Sequence, residues 1–313
     1  MTPPLASRMP PPPTSRSRPG ATASGSRPGS ATDGTPSGST ASGPLSGSTT
    51  GGTRPPGSAA DGTRPPGSAA GGILFPDPLP PLTSALPRQP PPTPARPHLW
   101  LVTTAVHQET VTRYAPLVLD PAELARAEEF RRPGDRATYM CAHVGLRRLL
   151  AAHLGIAPRA VSVARAPCPC CGEPHGRPVL PDGRLHFSLS HCEGLSLIAV
   201  AATPVGVDVE PVPPPQTVAE AADVLHPAES AELAALAPGP GAAAFARVWT
   251  RKEAYLKGTG VGLGADPAAE YVGSGPVPTD PAGWLLADVA VPAGHRAAVA
   301  VRMVRAASPP KPP

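Results

Sequence analysis

Four charged residues have the types and spacing that could support chemistry. Asp208 and Glu210 are two residues apart in GVDVEPV, and Glu253 and Lys257 are four apart in WTRKEAYLKG. Side chains alternate along a strand, so two carboxylates two apart point to the same side. Residues four apart lie on one face of a helix. The first pair therefore predicts paired carboxylates on a strand, and the second predicts a charged pair on a helical face.

Each pair has a functional and a structural interpretation. Two neighbouring carboxylates repel each other unless a cation or a proton compensates them. Oxygen ligands that leave room for water and substrate phosphates suit Mg²⁺. An acidic pair on a strand and a Glu–Lys pair on a helix are also common on solvent faces, where an ion pair contributes little. Taken alone, neither pair distinguishes a reactive site from a charged surface.

The elements that must position these residues are two strands and a helix. The apolar run Leu195–Ala202 predicts one strand, and the valine-rich segment Gly206–Val212 predicts the strand that carries the acidic pair. The stretch Trp249–Leu263 predicts a helix with an apolar side. Gly258 and Gly260 would end this helix, because glycine readily adopts the left-handed conformation that closes helices.

Together these segments resemble the 4′-phosphopantetheinyl transferases of the surfactin-synthetase-activating (Sfp) type. The resemblance rests on the Gly-Val-Asp-Val-Glu strand, followed some forty residues later by Trp-Thr-Arg-Lys-Glu-Ala-Tyr-Leu-Lys and a Gly-x-Gly-x-Gly turn. GEPHGRPVL (Gly172–Leu180) and FSLSH (Phe187–His191) fit the same family, in the same order. The resemblance covers roughly Trp100–Val304, about two thirds of the chain.

The resemblance implies Mg²⁺-dependent transfer of 4′-phosphopantetheine from coenzyme A to a serine of an acyl or peptidyl carrier protein, with release of 3′,5′-ADP. It implies that Asp208, Glu210 and Glu253 hold the metal on the pyrophosphate. Glu253 is then expected to act as general base, and Lys257 to stabilise the pyrophosphate or protonate the leaving ADP. Coenzyme A is the co-substrate, and the carrier protein is the implied partner.

The resemblance also assigns residues to coenzyme A. In the family, a basic residue before a Phe and an Arg on the next helix hold its phosphates, and the matching positions are Arg126 and Arg147. Arg177 is expected to reach a phosphate, and Ser190 with His191 to contact the 3′-phosphate end. Guanidinium groups suit phosphates because they present paired, permanently charged donors. Without the resemblance, a histidine at a strand end would indicate only a surface residue.

A cluster of possible zinc ligands precedes the GRP turn: Cys168, Cys170, Cys171 and His175. Their C-x₂-C spacing lacks a second C-x₂-C or H-x₃-H partner, so the four-ligand signature is incomplete. Five cysteines without an export signal favour reduced thiols over a disulfide framework. We therefore interpret the segment as a loop defined by glycine and proline. A zinc-stabilised nucleic-acid-binding protein is the alternative, and a non-catalytic scaffold is another.

Residues 1–97 predict a disordered Pro/Gly/Ser-rich tail. Before His98 lie 24 of the 50 prolines, and no aromatic residue precedes Phe75, so little can be buried to offset the entropy of ordering. This segment contains eight arginines and three aspartates, whereas the rest of the chain has a net charge of −1. The positive charge therefore belongs to the tail, which disfavours nucleic acid as a partner of the folded part.

The remaining sequence predicts an α+β fold of two pseudo-symmetric α/β halves with the active site at their interface. Residues 98–211 would form the coenzyme A-binding half, residues 212–305 the half with the metal and the catalytic helix, and residues 306–313 a second disordered tail. The other predicted elements are a strand over His98–Val106, helices over Pro121–Phe130 and Asp135–Gly155, a strand over Leu185–His191, two short helices within Thr217–Leu236, a break at Gly239–Gly241, and a hairpin of Trp284–Val291 with His295–Val304. No export signal or transmembrane run appears, which predicts a cytoplasmic protein without membrane contact. We also expect a monomer.

Overall fold

The computed structural model describes residues 73–93, 96–174, 176–261 and 265–304. The α-helices of these ranges are α1 (Thr104–Val118), α2 (Pro121–Glu128), α3 (Pro133–Leu154), α4 (Pro215–Ala221), α5 (Pro227–Ala234) and α6 (Pro238–Thr259). The strands are β1 (Asp77–Pro78), β2 (His98–Thr103), β3 (Ala164–Arg165), β4 (Pro178–Val179), β5 (His186–Cys192), β6 (Leu195–Ala201), β7 (Val205–Pro211), β8 (Trp284–Asp288) and β9 (His295–Arg302). None of these helices has the length and apolar character needed to cross a bilayer.

The strands form two main sheets and one short hairpin. The first sheet has the order β1-β2-β6-β5, the second has the order β7-β9-β8, and β3 pairs with β4. Neighbouring strands are antiparallel except for the parallel pair β1–β2. The described residues therefore have the mixed helix and sheet composition that the sequence predicts.

Three apolar layers hold these elements together. On the first sheet, Ile198 packs with α1 and α3 on one face, while Leu197 lies on the other face between the two sheets. Val207 of β7 completes the layer between the sheets. On the far side of the second sheet, Phe245 of α6 packs against Ala300 of β9. Because side chains alternate between the two faces of β6 and of β7, the layers follow in the order helices α1 and α3, first sheet, second sheet and helix α6.

The helix predicted to close at Gly155 is confirmed as α3. It begins at Pro133, two residues before the predicted start, and Gly155 adopts a left-handed φ of 70°. Helix α2 is also confirmed, with Asp120 as its N-cap. The Asp120 side chain accepts from the Glu123 backbone N–H, and the Glu123 side chain accepts from the Asp120 backbone N–H. This reciprocal capping fixes the start of α2.

The predicted strand over His98–Val106 is wrong in its second part. Strand β2 ends at Thr103, and α1 begins at Thr104. The β-branched residues of this stretch favour a strand locally. Val111 and Ala115, at helical spacing, are instead buried against the first sheet and α3. This tertiary packing outweighs the local preference.

The predicted break at Gly239–Gly241 is also wrong. Helix α6 begins at Pro238 and contains both glycines in its first turn. Proline is favoured at this position, because the first N–H groups of a helix have no intrahelical acceptor. The two short helices predicted within Thr217–Leu236 are confirmed as α4 and α5.

Residues 73–93 belong to the folded part, which corrects the predicted boundary at residue 97. Leu79 and Leu82 are 4% and 3% exposed within the first core. Strand β1 directly precedes Leu79 and pairs with β2. Residues 1–72 and 305–313 lie outside the described ranges, so the two predicted tails stay predictions there.

A buried arginine binds the proline-rich part of this segment. The Arg148 guanidinium donates to the carbonyl oxygens of Pro80, Pro81 and Ser84 at 3.4, 3.2 and 2.5 Å. Proline has no backbone N–H but keeps its carbonyl. The Arg148 donors therefore hold an extended chain that forms few ladder hydrogen bonds of its own. Burial lowers the pKa of Arg148.

Candidate active site

Helix α6 crosses β7 at a contact that only glycine permits. A Cβ atom on Gly206 would lie 2.0 Å from the Ala254 carbonyl oxygen and 2.4 Å from the Gly258 nitrogen. Side chains at 206, 208 and 210 share one face of the strand. The missing side chain at Gly206 therefore brings the last turns of α6 onto the face that carries Asp208 and Glu210.

Lys257, Asp208 and Ser190 form a buried cluster at this contact. The Lys257 Nζ lies 2.5 Å from Asp208 Oδ1 and donates to Ser190 Oγ at 3.0 Å. The Ser190 hydroxyl donates to Asp208 Oδ1 at 2.8 Å. Asp208 and Ser190 are fully buried, whereas the Lys257 side chain is 15% exposed. The cluster joins β5, β7 and α6 and brings together three of the predicted site residues.

The other two predicted acidic residues lie on the same two surfaces. Glu210 is buried on the β7 face of Asp208, and Glu253 is buried one turn before Lys257 on α6. Arg296 stands opposite Glu210 in the register of β7 and β9, so its side chain starts from the same sheet face. The side-chain alternation of β9 can be read from sequence, but the register that places Arg296 opposite Glu210 cannot.

The donor set suits a hard divalent cation. Asp208, Glu210 and Glu253 offer carboxylate oxygens, the ligands that Mg²⁺ prefers. In this structure, Lys257 is a counter-ion of Asp208. Across the described ranges, no three or more His, Cys, Asp or Glu side chains are arranged to hold a metal ion. The predicted magnesium site therefore stays a prediction that rests on the chemistry of its donors.

Arg177 reaches the same end of α6 from the hairpin of β3 and β4. Its Nη1 donates to the Gly258 carbonyl oxygen at 3.4 Å, and its Nη2 lies 3.5 Å from His186 Nδ1. Burial lowers the pKa of Arg177, and burial followed by the Arg177 charge lowers the pKa of His186. Arg177 thus places a half-buried positive charge beside Gly258, the residue that follows Lys257. His186 is not among the residues predicted from sequence, although the alternation of β5 places it on the face of Ser190.

Ser190 and His191, predicted as a pair at coenzyme A, lie on opposite faces of β5. The Ser188 hydroxyl oxygen accepts a backbone N–H from β7 at 3.1 Å, so positions 188 and 190 face that strand. Phe187 and Leu189 pack into the first core. Alternation places His191 on their side. The two predicted side chains therefore do not converge on one ligand from the same face.

Arg147 lies in a separate buried network between α2 and α3. Its side chain is 3% exposed, Nε donates to Glu123 at 2.6 Å, Nη2 to Asp120 at 2.5 Å, and Nη1 to the Val161 carbonyl at 2.8 Å. Burial alone would raise the pKa of Glu123, but its hydrogen bond with His143 and the Arg147 charge lower it. Each guanidinium nitrogen has an internal acceptor. This burial argues against the predicted contact of Arg147 with coenzyme A.

Arg126, the other arginine predicted at coenzyme A, lies on the outer side of α2. It forms an ion pair with Glu129, and its guanidinium carbon stands 5.5 Å from the centre of the Phe130 ring. The Arg126 side chain is 43% exposed. An exposed ion pair of this kind contributes little to stability. Arg126 is therefore accessible to a ligand, and its role stays a prediction.

The two remaining basic residues of the WTRKEAYLK motif stabilise the C-terminal half. Arg251 is fully buried and donates from Nε and Nη2 to the two Asp288 carboxylate oxygens, both at 2.8 Å. Lys252 Nζ pairs with buried Glu229 at 2.8 Å. Burial lowers the pKa of Lys252, against the opposing effect of Glu229. The motif thus divides into a structural pair and, on another face, Glu253 with Lys257.

The cysteine cluster is placed at the tip of the hairpin of β3 and β4. All five cysteines lie in the described ranges, where none is in a disulfide. His175, the fourth possible zinc ligand, lies outside the described residues, as do Gly262 and Leu263 at the end of the helix prediction. The thiols that are described do not form a group arranged to bind a metal.

The chain is similar in sequence to known proteins of one family. A sequence profile of the 4′-phosphopantetheinyl transferase superfamily matches residues 204–273, which include Asp208, Glu210, Glu253 and Lys257. The 4′-phosphopantetheinyl transferase HetI of Nostoc sp. (strain PCC 7120) is 32% identical over 216 residues, which cover 65% of this chain and 86% of HetI.

Two further relatives match shorter parts. The Synechocystis sp. (strain PCC 6803) protein slr0495, whose name assigns it provisionally to the same class, is 30% identical over 173 residues, or 54% of this chain and 66% of the relative. A 4′-phosphopantetheinyl transferase of Bacillus subtilis is 35% identical over 86 residues, or 28% of this chain and 37% of the relative.

Proposed function

This chain belongs to the 4′-phosphopantetheinyl transferase superfamily, and we propose that it transfers 4′-phosphopantetheine from coenzyme A to a serine of an acyl or peptidyl carrier protein, releasing 3′,5′-ADP. The observation that carries the proposal is the cluster of Lys257, Asp208 and Ser190. Asp208 and Lys257 lie inside the segment matched by the family. Phosphoryl transfer depends on positioned charges rather than on covalent chemistry by the protein.

Magnesium is the metal that the acidic residues favour. We assign Asp208, Glu210 and Glu253 as its ligands, because all three are buried carboxylates on the facing surfaces of β7 and α6. When bound, the ion would neutralise charge on the pyrophosphate as ADP leaves. Lys257 adds a positive charge at the same place. Its flexible stem and partial exposure allow its ammonium to contact a phosphate oxygen of a bound substrate.

Glu253 is our candidate for the general base. It lies one helical turn from Lys257, so both side chains can act on groups bound near the end of α6. Glu253 would accept the proton of the carrier serine as its oxygen attacks the phosphorus of the phosphopantetheine. Lys257 would stabilise the pyrophosphate oxygens or protonate the leaving ADP. These roles use opposite charges on one helical face.

The coenzyme A contacts of the proposal fall into two groups. Arg177 is the principal phosphate ligand, since its half-buried guanidinium lies beside Gly258 and one residue from Lys257. Arg126 and His191 are assigned to the 3′-phosphate end on the strength of the resemblance. Ser190 positions Lys257 and Asp208 through its hydroxyl.

We further propose that the two sheet-and-helix units are pseudo-symmetric halves with the active site between them. Helix α3 on the first sheet and α6 on the second are each 22 residues long. Each ends at a glycine in the left-handed conformation, Gly155 and Gly260. The Lys257 cluster draws on both units, because Ser190 belongs to the first sheet and Asp208 to the second.

The test is incubation of the purified chain with coenzyme A, Mg²⁺ and a panel of apo acyl and peptidyl carrier proteins. We expect at least one carrier to gain the mass of a phosphopantetheine arm, and a carrier with its acceptor serine replaced by alanine to gain none. Chelation of the metal should stop the reaction. A folded protein that modifies no carrier with any divalent ion would contradict the proposal.

A further inference from the structure

The hairpin of β3 and β4 ends in a turn with three thiols that the proposed transfer does not use. Cys168, Cys170 and Cys171 lie within four residues of one another. Cys168 is buried at 8% exposure, and the other two are exposed. One shielded sulfur thus lies beside two sulfurs that solvent reaches.

Backbone hydrogen bonds close this turn. The Gly172 N–H donates to the Cys168 carbonyl at 2.8 Å, and the Cys168 N–H donates to the Glu173 carbonyl at 2.7 Å. The bond from Gly172 to Cys168 joins residues four apart and so closes one helical turn, in which the first and fourth Cα atoms lie about 5 Å from each other. A disulfide requires a Cα separation of about 4.4–6.8 Å. Cys168 and Cys171 occupy these two positions, so the turn holds them where a disulfide can form with little backbone movement.

The same turn activates one of the two sulfurs. Backbone N–H groups of Cys170 and Cys171 form hydrogen bonds with the Cys168 sulfur, and these contacts lower the pKa of the Cys168 thiol against the opposing effect of burial. Partial desolvation and the Cys168 charge raise the pKa of the exposed Cys170 thiol. A thiolate is the nucleophile in thiol oxidation. Cys168 is therefore the sulfur prepared to react first.

We propose that Cys168 and Cys171 form a reversible disulfide in response to peroxide. The Cys168 thiolate attacks one oxygen of hydrogen peroxide and breaks the O–O bond, which gives a sulfenic acid and a hydroxide that takes up a proton. The Cys171 sulfur then attacks the sulfenic sulfur, loses its proton and expels water. Two thiols and one peroxide thus give one disulfide and two waters. A small dithiol reverses the step by exchange.

The hairpin couples this turn to the proposed active site. The Ala166 N–H donates to the Arg177 carbonyl at 3.0 Å, and the Gly176 N–H donates to the Ala166 carbonyl at 2.9 Å. Arg177 then reaches Gly258 at the end of α6. A cross-link at the tip would restrain this short ladder and so limit how far the Arg177 guanidinium can move toward a bound phosphate. We expect the disulfide to weaken coenzyme A binding several-fold, and this expectation rests on the proposed function.

The experiment treats the reduced full-length chain with hydrogen peroxide and counts thiols after denaturation. We expect the count to fall from five to three, and peptide mass mapping to find Cys168 linked to Cys171. Cys170→Ser is the matched control and should keep the link. Cys168→Ser and Cys171→Ser should lose it. Cys141, whose pKa burial raises to about 12, should stay reduced throughout.

Each outcome decides one part of the inference. A link through Cys170, or oxidation of Cys168 to sulfinic acid without a link, would overturn the disulfide. Calorimetry of the reduced and oxidised wild type, with Cys171→Ser beside it, tests the coupling. Unchanged coenzyme A affinity after oxidation would overturn the coupling alone. Coenzyme A that fails to bind even the reduced protein would count against the proposed function and leave the thiol result intact.

Discussion

Two long helices of this molecule each carry a cation paired with acidic side chains, and the two cations differ in how many of their donors have protein acceptors. On α3, Arg147 is 3% exposed and all three guanidinium nitrogens have acceptors, including Asp120 and Glu123. On α6, Lys257 is 15% exposed and contacts one carboxylate oxygen of Asp208 and one hydroxyl. The first arrangement joins two helices, and the second lies where a helix meets two sheet edges.

This difference separates a structural cation from one that can serve a reaction. The planar guanidinium of Arg147 presents its donors in fixed directions, and each already has a protein acceptor. The Lys257 ammonium has three donors on a flexible stem and is partly exposed, so it can exchange partners when a phosphate binds. Loss of Arg147 should therefore affect stability, whereas changes around Lys257 should affect turnover.

The largest effect is expected from Glu253→Gln. The change keeps the shape of the side chain and removes its charge and basicity. Loss of a general base costs about 10²–10⁴-fold, so turnover on a carrier protein should fall by about three orders of magnitude while coenzyme A affinity survives through Arg177. Glu220→Gln, an exposed change on α4, is the control. Near-normal turnover would make α6 a structural helix.

Arg147→Met should have the next largest effect, on stability. Breaking a buried ion pair costs about 3–5 kcal/mol, and we expect about 3 kcal/mol because Asp120 is 45% exposed and can be rehydrated. Arg136→Met removes the exposed pair with Glu128 and should cost less than about 1 kcal/mol. Denaturant unfolding measures both. Unchanged stability together with lost coenzyme A affinity would restore Arg147 to the ligand set and erase the contrast with Lys257.

Gly206→Ala should affect the site and the fold together. The added Cβ would lie 2.0 Å from the Ala254 carbonyl oxygen, so α6 must move away from β7. Overpacking of this kind costs about 1–3 kcal/mol, and turnover should fall because Lys257 moves with the helix. Gly134→Ala, whose Cβ meets nothing within 4 Å, should change neither. Retained turnover in Gly206→Ala would show that the close contact does not set the geometry of Lys257.

The smallest effect concerns acid stability at the end of α3. Burial, followed by the charge of His98, lowers the pKa of His153 to about 4 from 6.5. The neutral imidazole is therefore favoured on folding, so its stabilisation is complete above pH 6.5 and is lost as the pH falls toward 4. His153→Gln should reduce the stability lost between pH 7 and pH 5 by about 1 kcal/mol, after discounting for partial exposure. Identical acid profiles would contradict this assignment.

The parts that sequence predicts well are those set by local periodicity. The alternation of β7 places Asp208 and Glu210 on one face, and the spacing on α6 places Glu253 beside Lys257, as the short periods of strand and helix require. Gly260 ends α6 in the left-handed conformation with φ 86°, for the same local reason. These features need no knowledge of the partner surfaces.

The parts that sequence predicts poorly depend on partners distant in the chain. Arg147 is indistinguishable from a phosphate-binding arginine until Glu123 and the Val161 carbonyl are known to surround it. The proline-rich segment 73–93 has the composition of a disordered chain, but Arg148 and the first core hold it. In both cases, the interactions that determine the structure join residues distant in the chain. Neither the periodicity of side chains nor the composition indicates which of these residues pair.

The measurement that tests the central claim most directly is the Mg²⁺-dependent turnover of Asp208→Asn beside its melting temperature. The substitution keeps the size and one acceptor oxygen for Ser190 and Lys257 while removing the charge. We expect turnover to fall by at least two orders of magnitude, as for a lost metal ligand, with a stability change of only about 1–2 kcal/mol, because Lys257 can reach water. Near-normal Mg²⁺-dependent turnover would contradict the assignment of this cluster as the reaction site.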